Sequence, residues 1–529
     1  MDNVDADKLW TMSIVLNSEA SHRNLNLDIQ CGNEENPDEA TAHFCRITEF
    51  NPNNPDALIS QARLLDSGSE EIRFKRATLL ANSVRHGDRE EAKSLFLEIL
   101  KARPSHYGAW NNLGKLLFET GYTSAAHTSY SAAVTYHPKE PVAHLNFGNV
   151  LLHMDDLDAA KKHFEIALVI DPSLFGAHQG LSSVLQRQGD EGVATYHRDI
   201  GFGGRALSYM DYQGRGEPVP LLILASSIGG NIPWRFLIDQ GLFQTTIIAT
   251  EYFDIQLELP SHQLIFNAIG DADLCHKGLD IATRLIEMSG APVINHPNAV
   301  KKTGRLMNTQ RLAGISGVIV PRMVRLTKTE ILSGSGTEKL AQEQMMFPLL
   351  LRAPGFHGGN YLERIDVPEA LKSAVEKLPG ENLLAIEFLD SSLQDGLFRK
   401  YRVMSINGAL YPIHMAISSG WEVHYFSSDM EDNKDYRDEE RMFLNGFAAL
   451  LGSNTISALS CIGQALGLDY CGIDFGLDQN GKVLLYEANA TMVLNVPTHE
   501  KKWDYRRMPI ENALAATKKL FKERASLHP

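Results

Sequence analysis

Small, apolar and aromatic residues recur along the first part of the chain with one long period. Pro104, Pro138 and Pro172 are spaced 34 apart, as are Ala92, Ala126 and Ala160 and the aromatic set Phe96, Tyr130 and Phe164. One period shared by three columns predicts a single structural unit repeated in a stack. Small residues let helices approach closely, the aromatic fills the gap to the next unit, and proline stops the second helix of each. At least three full units cover about residues 72 to 173. A degenerate fourth, FGAHQGLSSVLQRQGDEGVATYHRDI, keeps Ala194 and is expected to cap the stack, and DEATAHFCRITEFNPNNPDALISQARLL is expected to supply an imperfect hairpin before it.

At GFGGRALSYMDYQGRGEPVP the pattern changes, and glycine and proline punctuate a domain boundary between 205 and 217. The runs LLILASSIGG, TTIIATEY, QLIFNAIG and PVINHP then read as strands alternating with a helix over CHKGLDIATRLIEMSG, which predicts an α/β domain. Further on, ENLLAIEFLD, FRKYRVMSING, ALYPIHMAI, WEVHYFS and KVLLYEANA predict a mostly antiparallel sheet, hence an α+β part.

The unit HYGAWNNLGKLLFETGYTSAAHTSYSAAVTYHP, whose Trp110, Leu113 and Gly114 recur as Leu145, Phe147 and Gly148, resembles the tetratricopeptide repeat. The resemblance implies an all-α solenoid whose concave face binds a protein or peptide. A carrier protein, a peptide substrate and self-association into a homo-oligomer all stay open as its use.

Composition narrows the partners. The chain has 529 residues, 22% of them charged and 43% hydrophobic, enough for two to four domains with their own cores. A net charge of -15 argues against a nucleic-acid scaffold or a binder of anionic membranes. The five cysteines form no C-x-x-C pair, so neither a zinc ribbon nor a disulfide framework is indicated, and reduced thiols are expected. The N-terminus lacks a basic start followed by an apolar stretch, and no uninterrupted apolar run reaches about 18 residues. The expectation is a cytoplasmic protein with no membrane span.

The stretch YCGIDFGLDQNGKVLLYEANATM reads as two strands joined by a turn at Asp478 to Gly481. Alternate residues of a strand share a face, so Glu487 and Asn489 point the same way, and the hairpin sets Asp474 opposite them. Three oxygen donors on one patch suit a hard cation such as Mg²⁺, with Mn²⁺ as a substitute. The alternative reading is a pair of solvated hairpin carboxylates.

GIDFGLDQNGKVLLYEANATM resembles the metal-binding end of the ATP-grasp superfamily, especially its D-alanine:D-alanine ligase and glutathione synthetase branches. The resemblance spans about 217 to 515. VINHPNAVKKTGRLMNTQRLAGISGVIVP resembles the family's opening segment, with Arg305 at the phosphate-binding lysine position. FPLLLRAPGFHGGNYLERI resembles the strand with the second ATP lysine and the glycine-rich loop over the phosphates. There Arg352 stands for the lysine, Gly355, Gly358 and Gly359 supply backbone freedom, and His357 is a candidate to close over phosphate or substrate. LLAIEFLD resembles the hinge strand, where backbone groups around Glu387, Phe388 and Leu389 would recognise adenine. RKYRVMSINGALYPIHMAI resembles the strand pair whose arginine reaches phosphates or a substrate carboxylate, which assigns Arg402, helped by Lys400. Gly472 stands where the D-alanine:D-alanine ligase pattern has an oxyanion-stabilising arginine. Arg402 is then the first substitute, with Asn489 or Thr491 helping to place substrate. His414 and His424 read as structural residues more readily than as catalysts.

What this implies is an ATP- and Mg²⁺-dependent, ADP-forming ligase joining a small-molecule carboxylate to an amine through an acylphosphate. An ATP-grasp kinase and a non-catalytic ATP-binding scaffold are the rivals. The chain divides into an N-terminal helical segment (1–71), repeats (72–205), a linker (206–216), a pre-ATP-grasp α/β domain (217–300), an ATP-grasp α+β domain (301–515) and a tail (516–529).

Overall fold

The computed structural model describes residues 69–83, 86–210, 212–214, 216–355, 361–423, 428–494, 497 and 500–526. The imperfect hairpin expected before residue 66 lies outside them. The chain forms two compact units. One comprises Met1–Gly180, Met210–Val219 and Gln240–Gln244, the other Leu181–Tyr209, Pro220–Asp239 and Thr245–Pro529.

In the first unit six helices pair as α1 (Glu70–Ala81) with α2 (His86–Ala102), α3 (Tyr107–Glu119) with α4 (Thr123–Tyr136), and α5 (Pro141–His153) with α6 (Leu157–Ile170). Two more, α7 (Phe175–Arg187) and α8 (Glu191–Phe202), complete the expected fourth hairpin, and the division between the units falls within α7. Pro104, Pro138 and Pro172 each follow the end of a second helix, and Ala92, Ala126 and Ala160 are wholly buried. The glycines are spaces for rings. A Cβ on Gly114 would stand 2.9 Å from the Tyr130 ring, and the Phe164 ring fills the place of a side chain at both Gly148 and Gly180. A fourth column was not legible as a repeat because its residue type changes. Trp110 Nε1, His144 Nε2 and His178 Nε2 each donate to a carbonyl six residues back, on Pro104, Pro138 and Pro172, at 2.7, 3.1 and 3.1 Å.

The second unit contains three sheets. Strands β1 (Leu207–Met210), β2 (Val219–Ala225), β3 (Phe243–Ala249), β4 (Leu264–Asn267) and β5 (Val293–Ile294) form one, in the order β1-β3-β2-β4-β5. Its apolar runs do not alternate, and Leu221 to Leu224 and Leu264 to Phe266 are wholly buried, as strands covered on both faces require; β2–β4 and β4–β5 pair in parallel. Helix α9 (His276–Glu287) is the helix read between β4 and β5.

The remaining strands are β6 (Val318–Ile319), β7 (Met323–Thr327), β8 (Leu349–Arg352), β9 (Leu362–Ile365), β10 (Asn382–Glu387), β11 (Phe398–Ile406), β12 (Ala409–Ser418), β13 (Tyr470–Leu477) and β14 (Val483–Asn489). They form an antiparallel sheet β7-β10-β8-β9 and a sheet β12-β11-β13-β14-β6, antiparallel except where β6 joins. Asn407 and Gly408, both at positive φ, make the two-residue turn between β11 and β12. The β13–β14 turn is held by Asp478 Oδ1, which accepts from the N–H of Asn480 and Lys482.

One face of the last sheet is aromatic. Tyr401 stacks on Phe475 and meets Phe443 edge-on, each at 5.2 Å, Phe443 belonging to the helix Lys434–Leu466. That helix is long and apolar enough by composition to cross a membrane, although polar residues interrupt it and leave no unbroken apolar run. It is broken at Gly446 and Gly452, and Phe443, Leu459, Ile462 and Leu466 are buried in the fold. The segment from 516, expected as a tail, instead continues the helix Arg507–Ser526, which puts Phe521 against Phe266 at 4.9 Å. Of the strand expected over WEVHYFS, residues 421–423 are irregular and the rest, with His424, lies outside the described residues. Asn295, just past β5, exchanges hydrogen bonds with the backbone of Tyr470 at 2.8 and 2.9 Å, and so ties the first sheet to the start of β13.

Candidate functional site

Strand register builds a polar row on the face opposite the aromatic one. Arg402 of β11 lies opposite His414 of β12 on one side and Asp474 of β13 on the other, and Asp474 lies opposite Glu487 of β14. Directly opposed residues share a face, and so do alternate ones, so Lys400, Arg402, His414, Asp474, Glu487 and Asn489 stand together. The register corrects one detail of the sequence reading. Only Glu487 faces Asp474, because Asn489 sits one step on, opposite Gly472.

Asp474 is sealed, with 1% of its surface exposed. Arg402 grips it with both arms of its fork, Nε to Oδ1 at 2.6 Å and Nη2 to Oδ2 at 2.8 Å, and Lys400 Nζ adds an ion pair to Oδ2 at 2.9 Å. Burial by itself would raise the Asp474 pKa, but Arg402 and Lys400 overcome it and hold the carboxyl far below the usual carboxylate range. Arg402, which the resemblance assigned to phosphates or substrate, is therefore closed on Asp474. His414 is buried beside this group, and burial followed by the Arg402 charge keeps its pKa well below the ordinary imidazole value. It is a neutral ring rather than a charged catalyst.

Arg305 heads the helix α10 (Arg305–Leu312). Its backbone N–H donates to Asp273 Oδ2 at 3.0 Å and its Nη2 to Glu487 Oε1 at 2.6 Å. The same Glu487 oxygen accepts from Asn489 Nδ2 at 2.8 Å, while Asn489 Oδ1 accepts from the N–H and hydroxyl of Thr491 at 3.0 and 2.9 Å. Arg352, the last residue of β8, is buried. Burial first, then the neighbouring Arg305 charge, push its pKa down to about 10, against the pull of Glu487 and Asp271. It stays cationic at neutral pH.

Gly355 turns at a φ of +83°, as a glycine-rich loop requires, while His357, Gly358 and Gly359 lie outside the described residues. Of the backbone groups around Glu387, Phe388 and Leu389 expected to meet adenine, the Glu387 N–H donates to the Arg322 carbonyl at 2.8 Å. Its carboxylate accepts from Arg322 N, Nε and Nη2 at 3.0, 3.2 and 2.9 Å, and these bonds lower its pKa. The Phe388 ring lies under the Arg364 guanidinium at 4.5 Å, and Leu389 is half-buried beyond the strand end.

A pocket opens beside the row, lined on its polar side by Arg305, Glu487 and Asn489 and on its apolar side by Val320, Met323 and Leu485. The three apolar residues were missed. Leu485 pairs with Phe475 across a β-bulge, so strand alternation from Glu487 did not mark it, and nothing local marks Val320 or Met323. Gly472 has a packing reason for its identity: a Cβ there would lie 2.5 Å from Met492. No larger residue fits that position as the strand now sits.

A hard divalent cation takes oxygen ligands. Glu487 and Asn489 bring such oxygens to the pocket wall, and Asp474 supplies two more once Arg402 and Lys400 turn away from it. The donor set fits a magnesium-type ion under that condition. Among the described residues no three His, Cys, Asp or Glu side chains stand together as a ready metal cluster.

A tetratricopeptide-repeat family model matches residues 83–123. No curated protein matches the sequence. Among solved structures, MamA 41-end from Desulfovibrio magneticus RS-1 is 22% identical over 34% of this chain and 90% of its own, with a TM-score of 0.22. The VanG D-Ala:D-Ser ligase from Enterococcus faecalis is 11% identical over 58% of this chain and 100% of its own, with a TM-score of 0.38. The chain thus has a helical region that includes a match to the tetratricopeptide repeat, followed by mixed α/β sheets.

Proposed function

We propose that the second unit is an ATP-dependent, ADP-forming ligase of the ATP-grasp kind that joins a carboxylate to an amine through an acylphosphate, with the repeats holding a protein or peptide partner. One observation carries this reading. Four cations, Arg305, Arg352, Lys400 and Arg402, converge from α10, β8 and β11 on the two site carboxylates Asp474 and Glu487. Set among Asp474, Glu487, Asp271 and Asp273, these four cations offer a polyanion such as a triphosphate a row of charged donors. Guanidinium forks bind phosphate oxygens in pairs, so Arg305 and Arg352 serve where the resemblance expects lysines. Val320, Met323 and Leu485 line a pocket of about 30 Å³ beside the row, which a base has to widen to enter.

Magnesium, held by Glu487, Asn489 and Asp474, supplies neutralisation of the charge on the transferring phosphoryl group when bound. The chain's own residues do the rest. Arg305 and Arg352 orient phosphate oxygens, Lys400 and Arg402 take phosphate or a substrate carboxylate once they leave Asp474, and the neutral His414 adds no competing charge. Gly472 favours a second reading. With Met492 occupying that position, no cation stands where a tetrahedral intermediate would need one, and a kinase has no such intermediate.

The test is Mg²⁺-dependent phosphate release from ATP by the full chain, challenged with pooled amino acids and small carboxylates, with Glu487→Gln as control. Release that needs both a pool and Glu487, with amide formed, supports the ligase. A phosphorylated hydroxyl product without amide supports the kinase. ATP binding with no release under any pool moves the weight to a scaffold.

A further inference from the structure

We infer that the site loads in a fixed order: a phosphate-bearing anion draws Lys400 and Arg402 off Asp474 before that carboxylate takes a divalent cation. The inference rests on the proposed nucleotide and metal site and concerns how that site is regulated.

Three observations lead to it. Both Asp474 oxygens are engaged by three cationic N–H donors at 2.6, 2.8 and 2.9 Å, so a dication meets no open carboxylate there. Glu487 Oε1 is likewise taken, by Arg305 and Asn489. Finally, exposure is divided unequally: the Asp474 side chain is 1% exposed, whereas those of Lys400 and Arg402 are 21% and 20% exposed. An incoming ligand therefore touches the two cations before it touches the carboxylate.

Electrostatics set the sequence of events from this starting point. At Asp474 two cations, Lys400 and Arg402, face one carboxylate, so the charge there is positive and draws an anion before a dication, while Arg305 and Arg352 further along are balanced by Glu487, Asp273 and Asp271. A phosphate offers Lys400 and Arg402 replacement acceptors of the same charge type, which lets them leave Asp474 without being stranded in a buried place. The exposed carboxylate oxygens are then left facing a site whose net charge the anion has reversed. Binding linkage makes the effect reciprocal: whatever factor the anion adds to metal affinity, the metal adds to anion affinity.

The experiment measures Mn²⁺ binding to the full chain by electron paramagnetic resonance, with sulfate as an anion that chelates the metal only weakly. Wild type is expected to bind Mn²⁺ weakly in chloride and at least about fivefold more tightly with sulfate, the lower end of ordinary coupling between sites. Arg402→Gln and Lys400→Met should each tighten Mn²⁺ binding without sulfate and shrink the sulfate effect. Asp474→Asn added to Arg402→Gln should cancel the gain. Lys400→Met leaves Arg402 on Asp474, so it serves if Arg402→Gln does not fold, as judged by thermal melts.

Equal Mn²⁺ affinity with and without sulfate, with no gain in either variant, overturns the loading order. ATP binding measured by calorimetry in EDTA then separates the two claims. If it persists, the nucleotide site stands without the order; if neither ATP nor Mn²⁺ binds, both fall.

Discussion

Arg305 and Glu487 lie 182 positions apart in the chain and meet in a 2.6 Å ion pair on the wall of the pocket. The pair joins the start of a helix to the end of a strand and leaves the other guanidinium donors for a ligand. Because Arg305 is one of four cations in the row, its removal should weaken ATP binding without unfolding the unit. Arg305→Ala is expected to lower ATP affinity roughly 10- to 100-fold, the range of a lost charge-assisted hydrogen bond, with Arg305→Lys intermediate. Calorimetric titration reads this directly, and unchanged affinity in the alanine variant would remove Arg305 from the site.

Asp474 should also govern acid stability. Its folded pKa lies below the unfolded value of about 3.9, so its contribution is complete above that value and is lost as pH falls through and below it. Asp474→Asn leaves two part-buried cations without their carboxylate and should cost up to about 3 kcal/mol at neutral pH in urea titrations. Its stability should then fall less steeply than that of wild type from about pH 5 downward. Parallel acid slopes would count against this assignment.

In the repeats, Gly148 is a packing position. A Cβ there would stand 2.7 Å from the ring of Phe164, itself wholly buried, so Gly148→Ala should destabilise by about 1–3 kcal/mol despite alanine's better helix propensity. At Gly87, in α2, a Cβ would meet nothing within 4 Å, and Gly87→Ala should be neutral or stabilising. Thermal melts followed by circular dichroism compare the two. Equal effects would mean that propensity rather than packing decides.

Glu440 and Arg506 form a buried pair, 0% and 4% exposed, with Arg506 Nε and Nη2 donating to Glu440 Oε2 at 2.9 and 2.5 Å. Glu440 Oε1 also accepts the backbone N–H of Met415 on β12, an outer strand of its sheet, at 3.2 Å. Arg506→Met should cost about 3–5 kcal/mol, and adding Glu440→Gln should recover much of it, because the neutral amide no longer needs a buried cation. Strict additivity in urea unfolding would argue that the two side chains act independently.

Most elements were legible because their signals are local. The columns at Ala92, Phe96 and Pro104 repeat because each unit meets its neighbours in the same way, and Asp478–Gly481 marks a turn through backbone conformation. Where the reading failed, a distant contact decided. The helix past residue 516 is held by Phe266, nearly half the chain away, and the Trp110, His144 and His178 column changes residue type while keeping one hydrogen bond.

By itself the sequence determined which residues share a strand face: Lys400 with Arg402 and Glu487 with Asn489, since a period of two is a property of the extended backbone. Tertiary structure alone decided which partner each side chain takes. That Arg402 closes on Asp474, that Arg305 reaches Glu487, and that Val320, Met323 and Leu485 make one wall all depend on strand register and helix docking across long chain separations. Charge complementarity is short-ranged in effect and indifferent to sequence order, so any of the four cations could pair with either carboxylate until packing sets the distances.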